Sequence, residues 1–158
     1  MADATLVHGL AGGGLTGVHH IGIPVRDIER SLQWYREILG LTADFVEIDE
    51  GPEASRVVQL ENARMRFAFL SAGNTIIELL EYEHPLGRDF DRRNCDVGAI
   101  HLCLEVADIA HAHHVLTERG VTFSTEPVEI LEGALKGQWC CYFRDPDGIQ
   151  LELWQRAR

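Results

Sequence analysis

The stretch HHIGIPVRDI, residues 19–28, returns later in the chain as IHLCLEVADI, residues 100–109. Aligned on the shared V-x-D-I ending, the two stretches pair His20 with His101 and leave His19 without a histidine partner. Each reads as an apolar strand that ends at an aspartate suited to cap a helix. Neighbouring side chains on a strand point to opposite faces, so at most one of the adjacent histidines faces a given site. The repeat selects His20, because it is the histidine that recurs.

The repeat extends through the rest of the chain. The capping aspartates, Asp27 and Asp108, are 81 positions apart, which is also the offset of the two histidines. Further on, the segments TIIELL and IQLELW align Glu78 with Glu152, at an offset of 74 positions. The smaller second offset indicates a net loss of seven residues in the loops of the second half.

Each half is therefore predicted to be a β-α-β-β-β module, and the fold class is α+β. Two copies of a curved four-stranded unit can each bury one apolar face, with the helices covering the outside. Helices are predicted at about 27–39 and 108–119. The segments expected to be extended are about 17–25, 43–48, 56–60, 64–71, 74–82, 98–106, 121–130, 137–146 and 149–155.

The domain organisation follows from this repeat. We expect a flexible N-terminal extension at 1–16, a first module at 17–82, a linker at 83–97 and a second module at 98–158, which together form one domain. The N-terminus has neither a basic leader nor a continuous apolar core, and no apolar run approaches the roughly 20 residues of a membrane span. A cytoplasmic protein without a membrane partner is therefore expected.

Charge and cysteine content narrow the function further. The net charge is −11, with one lysine and 13 scattered arginines, and this argues against nucleic-acid binding, which needs clustered cations. An anionic ligand would have to be held by a few local arginines or by a metal ion. The four cysteines show no C-x-x-C spacing and are expected to be reduced thiols.

The repeat also predicts a metal site. His20 and Glu78 in the first half match His101 and Glu152 in the second, and each is a polar residue within an apolar strand. A pseudo-twofold axis would bring the four side chains together in a cleft between the modules. Two imidazoles and two carboxylates suit Zn²⁺, Ni²⁺, Co²⁺, Mn²⁺ or Fe²⁺ and leave two positions for water or substrate.

The residues resemble the vicinal oxygen chelate superfamily, which includes glyoxalase I, methylmalonyl-CoA epimerase, extradiol dioxygenases and fosfomycin-resistance proteins. The resemblance covers about residues 17–155 and rests on HHIGIPVRDIERSLQWYREILGL, GNTIIELLE, HLCLEVADI and YFRDPDGIQLELWQ. It implies paired β-α-β-β-β modules that form a cupped, barrel-like mixed sheet around one divalent metal ion. It also implies metal ligands at the four positions named above, and a homodimer.

Three functions are compatible with this pattern. The first is an isomerase or lyase of the epimerase or glyoxalase I type, acting on a small molecule with vicinal oxygens. There a metal-bound carboxylate, Glu152 first and Glu78 second, would move a proton next to a carbonyl. The second is an Fe²⁺-dependent extradiol-type dioxygenase, for which a fourth ligand at Glu78 is unfavourable. The third is a non-catalytic resistance-type protein that binds a small molecule.

Overall fold

Two four-stranded sheets of the same topology form, one from each half of the repeat. The computed structural model describes residues 14–89, 91 and 93–157. The elements are β1 (Ile21–Pro24), α1 (Ile28–Leu39), β2 (Glu47–Glu50), α2 (Pro52–Val58), β3 (Arg64–Ser71), β4 (Ile76–His84), β5 (His101–Glu105), α3 (Ile109–Glu118), β6 (Val128–Glu129), β7 (Trp139–Arg144) and β8 (Gln150–Gln155).

The register of the sheets confirms the alignment of the repeats. The strand orders are β1-β4-β3-β2 and β5-β8-β7-β6, with the first pair parallel and the others antiparallel. Gly22 lies opposite Glu78 in the β1–β4 pair, and Cys103 lies opposite Glu152 in the β5–β8 pair. These partners are related by the offsets of 81 and 74 positions found in the sequence. The predicted α+β class with two repeated modules is therefore confirmed.

The prediction of a strand at 56–60 is wrong, because helix α2 covers most of that segment. The adjacent valines Val57 and Val58 favour a strand locally, but the residues before them start a helix. Pro52 lies in the first turn, where its missing N–H breaks no intrahelical bond, and Glu53 complements the positive end of the helix. The helix ends at Gln59, which adopts the left-handed conformation with φ of 55°.

The helices that follow the repeated stretches begin in the same way in both halves. The N–H of Ile28 donates to Glu81 Oε2 at 3.1 Å, and the N–H of Ile109 donates to Gln155 Oε1 at 2.7 Å. Asp108 also caps α3, as predicted, by accepting the N–H of His111 at 2.9 Å. Each last strand thus provides an oxygen for the unpaired amides at the start of its helix.

The core of each sheet lies on the face opposite the repeated glutamates, Glu78 and Glu152. In the first half, β3 and β4 bury apolar side chains, and in the second half β7 and β8 do the same. Each fully buried Leu, Ile or Phe contributes about 1.5–3 kcal/mol relative to an exposed side chain. The fully buried members are Ala68, Leu70, Ile77 and Leu79 in the first half and Cys141, Phe143, Leu151 and Leu153 in the second.

Helix α1 packs with the second half of the chain. The described residues form two compact units. One unit contains residues 14–28 and 41–85, and the other contains residues 29–40 and those from 86 onward. In the second unit, the buried Tyr35 hydroxyl donates to Asp145 Oδ2 at 3.2 Å, which joins α1 to the turn between β7 and β8. The boundaries predicted from sequence, at 17–82 and 98–158, did not include this placement of α1. Only residues 14–16 of the predicted N-terminal extension fall within the described part of the chain.

Two further expectations concern cysteines and membranes. Cys95, Cys103, Cys140 and Cys141 are free thiols, as predicted. In the described part of the chain, no helix combines the length and apolar character needed to cross a bilayer.

Candidate active site

The first half brings together two of the four predicted ligands. His20 Nε2 lies 3.1 Å from Glu78 Oε2, with 39% and 16% of the two side chains exposed. Glu78 occupies β4 between Ile77 and Leu79, which are fully buried. Because side chains alternate along a strand, burying those two neighbours in the core directs the glutamate to the other face of the sheet.

The second half repeats this arrangement. His101 Nε2 lies 3.1 Å from Glu152 Oε2, with 44% and 6% of the two side chains exposed. Glu152 stands on β8 between Leu151 and Leu153, which are buried in the core. A buried carboxylate needs polar partners, and an imidazole within hydrogen-bonding distance is one of them.

The adjacent histidines of the first half contact each other. The Nδ1 atoms of His19 and His20 are 2.8 Å apart, so one ring nitrogen donates to the other. His20 precedes β1 by one residue, so strand alternation does not hold the two rings on opposite faces. With Nδ1 of His20 engaged in this way, its Nε2 is the nitrogen that faces Glu78. His19 is thus a direct neighbour of the predicted ligand, a contact that the repeat alignment did not predict.

Aromatic side chains surround the pair in the first half. Phe69 lies opposite Glu78 in the β3–β4 pair, and its ring stacks on His20 with the ring centroids 5.6 Å apart. Phe67 and Phe45 extend this surface, with ring centroids 5.8–6.1 Å apart in successive pairs. An apolar surface of this kind beside a carboxylate fits the carbon skeleton of a small ligand.

A phenol and two thiols lie near the carboxylate in the second half. Tyr142 lies opposite Glu152 in the β7–β8 pair. Burial, followed by a hydrogen bond to Glu152, raises the pKa of Tyr142 to about 12. Burial and a hydrogen bond to the same carboxylate raise the pKa of Cys103 to about 12, and they also raise the pKa of Cys140. A raised pKa disfavours the thiolate, which makes these thiols poor nucleophiles.

The four predicted ligands thus occur as two His–Glu pairs of equal length. Among residues 14–89, 91 and 93–157, no three His, Cys, Asp or Glu side chains form a group that could hold a metal ion. The prediction of one four-ligand site stays a prediction. The donor chemistry fits a divalent metal, because imidazole nitrogen and carboxylate oxygen are ligands that Zn²⁺, Ni²⁺, Co²⁺, Mn²⁺ and Fe²⁺ accept.

Sequence reasoning missed the residues that flank the carboxylates. The signal was available, because the register that aligns Glu78 with Glu152 also aligns Gly22 with Cys103 on the neighbouring strand. On the strand at the other side it aligns a phenylalanine of β3 with Tyr142 of β7.

Other acidic side chains near the repeated positions have structural roles. Glu81, which the repeat matches with Gln155, accepts the first amide of α1 and also contacts Arg66. Glu105 forms an ion pair with Arg156 at 2.8 Å and is exposed to solvent. The predicted ligand set does not include either glutamate, and the contacts give each of them another function.

Comparisons with known proteins show which proteins this chain resembles. The family model of the Glyoxalase/Bleomycin resistance protein/Dioxygenase superfamily matches residues 17–153. A 2-epi-5-epi-valiolone epimerase from an Actinomyces species is 34% identical over 145 residues, covering 89% of this chain and 79% of that protein. The mitochondrial methylmalonyl-CoA epimerase of Homo sapiens is 32% identical over 118 residues, covering 72% of this chain and 59% of that protein.

Solved structures give the same fold. A glyoxalase family protein from Bacillus cereus superposes with a TM-score of 0.74 at 23% identity, covering 94% of this chain and 99% of that one. A glyoxalase/bleomycin resistance protein/dioxygenase domain from a Frankia species has a TM-score of 0.63 at 28% identity, with 91% and 94% of the two chains covered. The chain belongs to the Glyoxalase/Bleomycin resistance protein/Dioxygenase superfamily.

Proposed function

We propose that this chain is a divalent-metal-dependent isomerase of the epimerase type, which moves a proton next to the carbonyl of a small molecule with vicinal oxygens. The observation that carries the proposal is the pair of equivalent contacts, His20–Glu78 and His101–Glu152, each 3.1 Å long. Relatives with 32–34% identity that are named epimerases support the reaction type. Glyoxalase-type lyase chemistry would use the same proton transfer.

The four paired side chains are the proposed metal ligands. Each half offers one imidazole nitrogen and one carboxylate, so the two halves supply two of each, a set that Co²⁺, Ni²⁺, Zn²⁺, Mn²⁺ or Fe²⁺ accepts. A divalent cation, when bound, supplies positive charge that stabilises the negative charge developing on the substrate oxygens. The proposed ligands are His20, Glu78, His101 and Glu152.

The two glutamates are the proposed proton carriers. Glu152 accepts the proton as the C–H bond beside the carbonyl breaks, and the electron pair of that bond moves toward the carbonyl oxygen. Return of a proton to the opposite face of the same carbon inverts the centre, and Glu78 is the second carboxylate suited to that step. Strand β3, which reads RMRFAFLS, carries no acidic residue that could serve instead.

The charge distribution favours a small ketone over an acyl-CoA thioester. Binding the phosphates of CoA needs several available cations, and this chain has one lysine and a net charge of −11. Several arginines are already engaged: Arg30 with Asp147, Arg64 with Glu50 and Glu83, Arg93 with Asp96, and Arg156 with Glu105. The aromatic surface formed by Phe45, Phe67 and Phe69 gives the carbon skeleton of a compact substrate a place to bind.

Proton exchange tests the proposal directly. The protein, stripped of metal and reloaded in turn with Co²⁺, Ni²⁺, Zn²⁺, Mn²⁺ or Fe²⁺, is incubated in D₂O with 2-epi-5-epi-valiolone, methylmalonyl-CoA or a hemithioacetal. We expect metal-dependent deuterium incorporation beside the carbonyl, with the ketone exchanging faster than the thioester. Oxygen consumption on catechols without proton exchange on any of these compounds would instead support the dioxygenase. Tight binding without turnover would support the resistance-type function.

A further inference from the structure

His19 and His20 form a pair that the second half of the repeat does not have. Their Nδ1 atoms are 2.8 Å apart, which is a hydrogen-bonding distance. The residue that matches His19 is Ile100, whose side chain has neither a donor nor an acceptor. The histidine of the first His–Glu pair therefore has a hydrogen-bonding partner that the matching position cannot supply to the second pair.

Ring contacts hold these two imidazoles in place. The ring of Phe69 stacks on His20, with 5.6 Å between the centroids and 28° between the planes. The same ring meets His19 edge to face, at 6.2 Å and 69°. The planes of the two imidazoles are at 87° to each other. One aromatic ring of β3 thus contacts both histidines, which limits their rotation and keeps the two Nδ1 atoms together.

The carboxylate of Glu78 determines which nitrogen of His20 carries the proton. A neutral imidazole has one N–H donor and one acceptor nitrogen, whereas an ionised carboxylate only accepts. His20 Nε2 lies 3.1 Å from Glu78 Oε2, so Nε2 is the nitrogen that carries hydrogen when the ring is neutral. His20 Nδ1 is then an acceptor, and His19 Nδ1 is the N–H donor of the contact between the two rings.

Metal binding through the same nitrogen requires the opposite arrangement. A histidine that binds a metal ion through Nε2 uses the lone pair of that nitrogen, and it carries its proton on Nδ1, which donates to an outer-shell acceptor. For His20 the group in that position is His19 Nδ1, which has to change from donor to acceptor. An imidazole can serve in both ways, because its two neutral tautomers exchange the roles of the ring nitrogens.

We infer that His19 is a positioning residue whose hydrogen bond with His20 reverses its direction when His20 binds a metal ion. This inference rests on the proposed function for the role of His20 as a ligand. On binding, the Nε2 proton of His20 leaves to solvent, the Nδ1 proton of His19 moves to His20 Nδ1, and His19 Nε2 takes a proton from solvent. The pair carries two N–H protons before and after, so its charge does not change. Both histidines are exposed, so solvent reaches them.

Nuclear magnetic resonance tests the reversal without requiring a substrate or a variant. Long-range proton–nitrogen correlation spectra of the histidine rings distinguish the tautomers, at a pH at which the nitrogen shifts show both imidazoles to be neutral. In metal-free wild type we expect hydrogen on Nε2 of His20 and on Nδ1 of His19. Saturation with Zn²⁺ should place it on Nδ1 of His20 and on Nε2 of His19. Hydrogen on Nδ1 of His20 in the metal-free protein, or tautomers that Zn²⁺ binding leaves unchanged, would overturn the inference.

Metal affinity gives a second test with matched variants. His19→Phe keeps an aromatic ring beside Phe69 and offers His20 no hydrogen-bonding partner. Loss of an outer-shell partner typically costs about 10–100-fold in metal affinity, so we expect a loss of Zn²⁺ affinity in that range. His19→Asn provides an amide that both donates and accepts, and it should recover most of that affinity. His114→Phe makes the same change at a histidine of α3 whose side chain is 69% exposed, and it should match wild type.

The outcomes separate this inference from the proposed function. Wild-type Zn²⁺ affinity in His19→Phe would overturn the positioning role of His19 and leave His20 as a ligand. Equal losses in His19→Phe and His19→Asn would also overturn it, because the imidazole ring and not the hydrogen bond would then be responsible. A wild-type protein that takes up no Zn²⁺ would overturn the proposed metal site and the inference with it. The spectra of the wild type decide the question even if one of the variants fails to fold.

Discussion

His101 Nε2 lies 3.1 Å from Glu152 Oε2, and the parallel pairing of β5 with β8 sets this contact. Glu152 faces Cys103 across the strands, and the histidine comes two residues earlier on the same strand, so the two side chains meet diagonally. The first half has the same diagonal relationship, with His20 two residues before Gly22 and just ahead of β1. Side chains placed by paired strands are held more firmly than side chains on loops, which favours a preorganised site.

The adjacent histidines should differ in their effect on metal binding. His20→Ala removes the nitrogen that faces Glu78, and we expect it to abolish stoichiometric Co²⁺ binding. His19→Ala removes a neighbour of His20 Nδ1, so metal is retained with at most the roughly 10–100-fold loss of affinity typical of an outer-shell change. Isothermal titration of the two variants measures the difference, and equal losses would contradict the assignment of His20 by the repeat.

Glu81 should contribute to stability through the start of α1. Glu81→Ala leaves the N–H of Ile28 without its acceptor, and loss of a helix-capping group of this kind costs about 1 kcal/mol. Glu81→Gln is the matched control, because Gln155 performs the same task with an amide oxygen in the second half. The free energy of unfolding in urea should therefore fall clearly for Glu81→Ala and only slightly for Glu81→Gln. The weaker contact of the glutamine with Arg66 matters little, because partly exposed ion pairs contribute little to stability. Equal losses of stability in the two variants would show that the charge of Glu81, and not its role as hydrogen-bond acceptor, stabilises the helix.

Tyr35 should affect both stability and its pH dependence. Tyr35→Phe removes a buried hydrogen bond to Asp145, which should cost about 1–3 kcal/mol at neutral pH, because the carboxylate loses a donor. Burial, followed by the charge of Asp145, raises the pKa of Tyr35 above its ordinary value of 10.0. The stability that comes from a raised pKa in the folded protein is fully present below the pKa of the same group in the unfolded chain. It is lost as the pH rises above that unfolded pKa. The free energy of unfolding, measured with urea from pH 7 to pH 11, should therefore fall more steeply for wild type than for Tyr35→Phe. Parallel curves for the two proteins would contradict this account.

The sequence predicted the repeat and the equivalence of His20 with His101 and of Glu78 with Glu152, because apolar alternation and matched polar positions are local patterns. It failed at α2, where Val57 and Val58 favour a strand and the helix depends on the turn that starts with Pro52. The position of Tyr142 opposite Glu152 was missed for another reason, since the two residues lie on different strands and their pairing depends on the register. Packing of α1 with the second half depends on Tyr35 and Asp145, which are 110 positions apart and carry no shared motif.

Self-association is expected from the apolar side chains left exposed beside the sheet edges. β1 and β5 are edge strands, and Val18 and Ile100, which precede them, are 74% and 68% exposed. A strand edge offers N–H and C=O groups for pairing with a second chain, so we expect a homodimer. Light scattering at micromolar concentration should give about twice the chain mass of 17.7 kDa. Double substitution of Val18 and Ile100 by serine should shift the mass toward the monomer, and a monomeric wild type would exclude the dimer.

Changing each of the two glutamates, Glu152 and Glu78, to glutamine should have different effects on metal binding and on the reaction rate. Glu152→Gln can still offer an oxygen to the metal but cannot accept a proton, so for proton-transfer chemistry the rate should fall at least about a hundredfold while much of the metal is retained. Glu78→Gln should cost less, because Glu152 remains as the first proton acceptor. For a ring-cleaving dioxygenase, Glu152→Gln should instead fail through poor iron retention, and Glu78→Gln should matter little. Metal content and deuterium exchange in D₂O, measured on the same samples, distinguish the two cases. Wild-type deuterium exchange in Glu152→Gln would contradict the assignment of Glu152 as the base, because the glutamine amide cannot accept the proton.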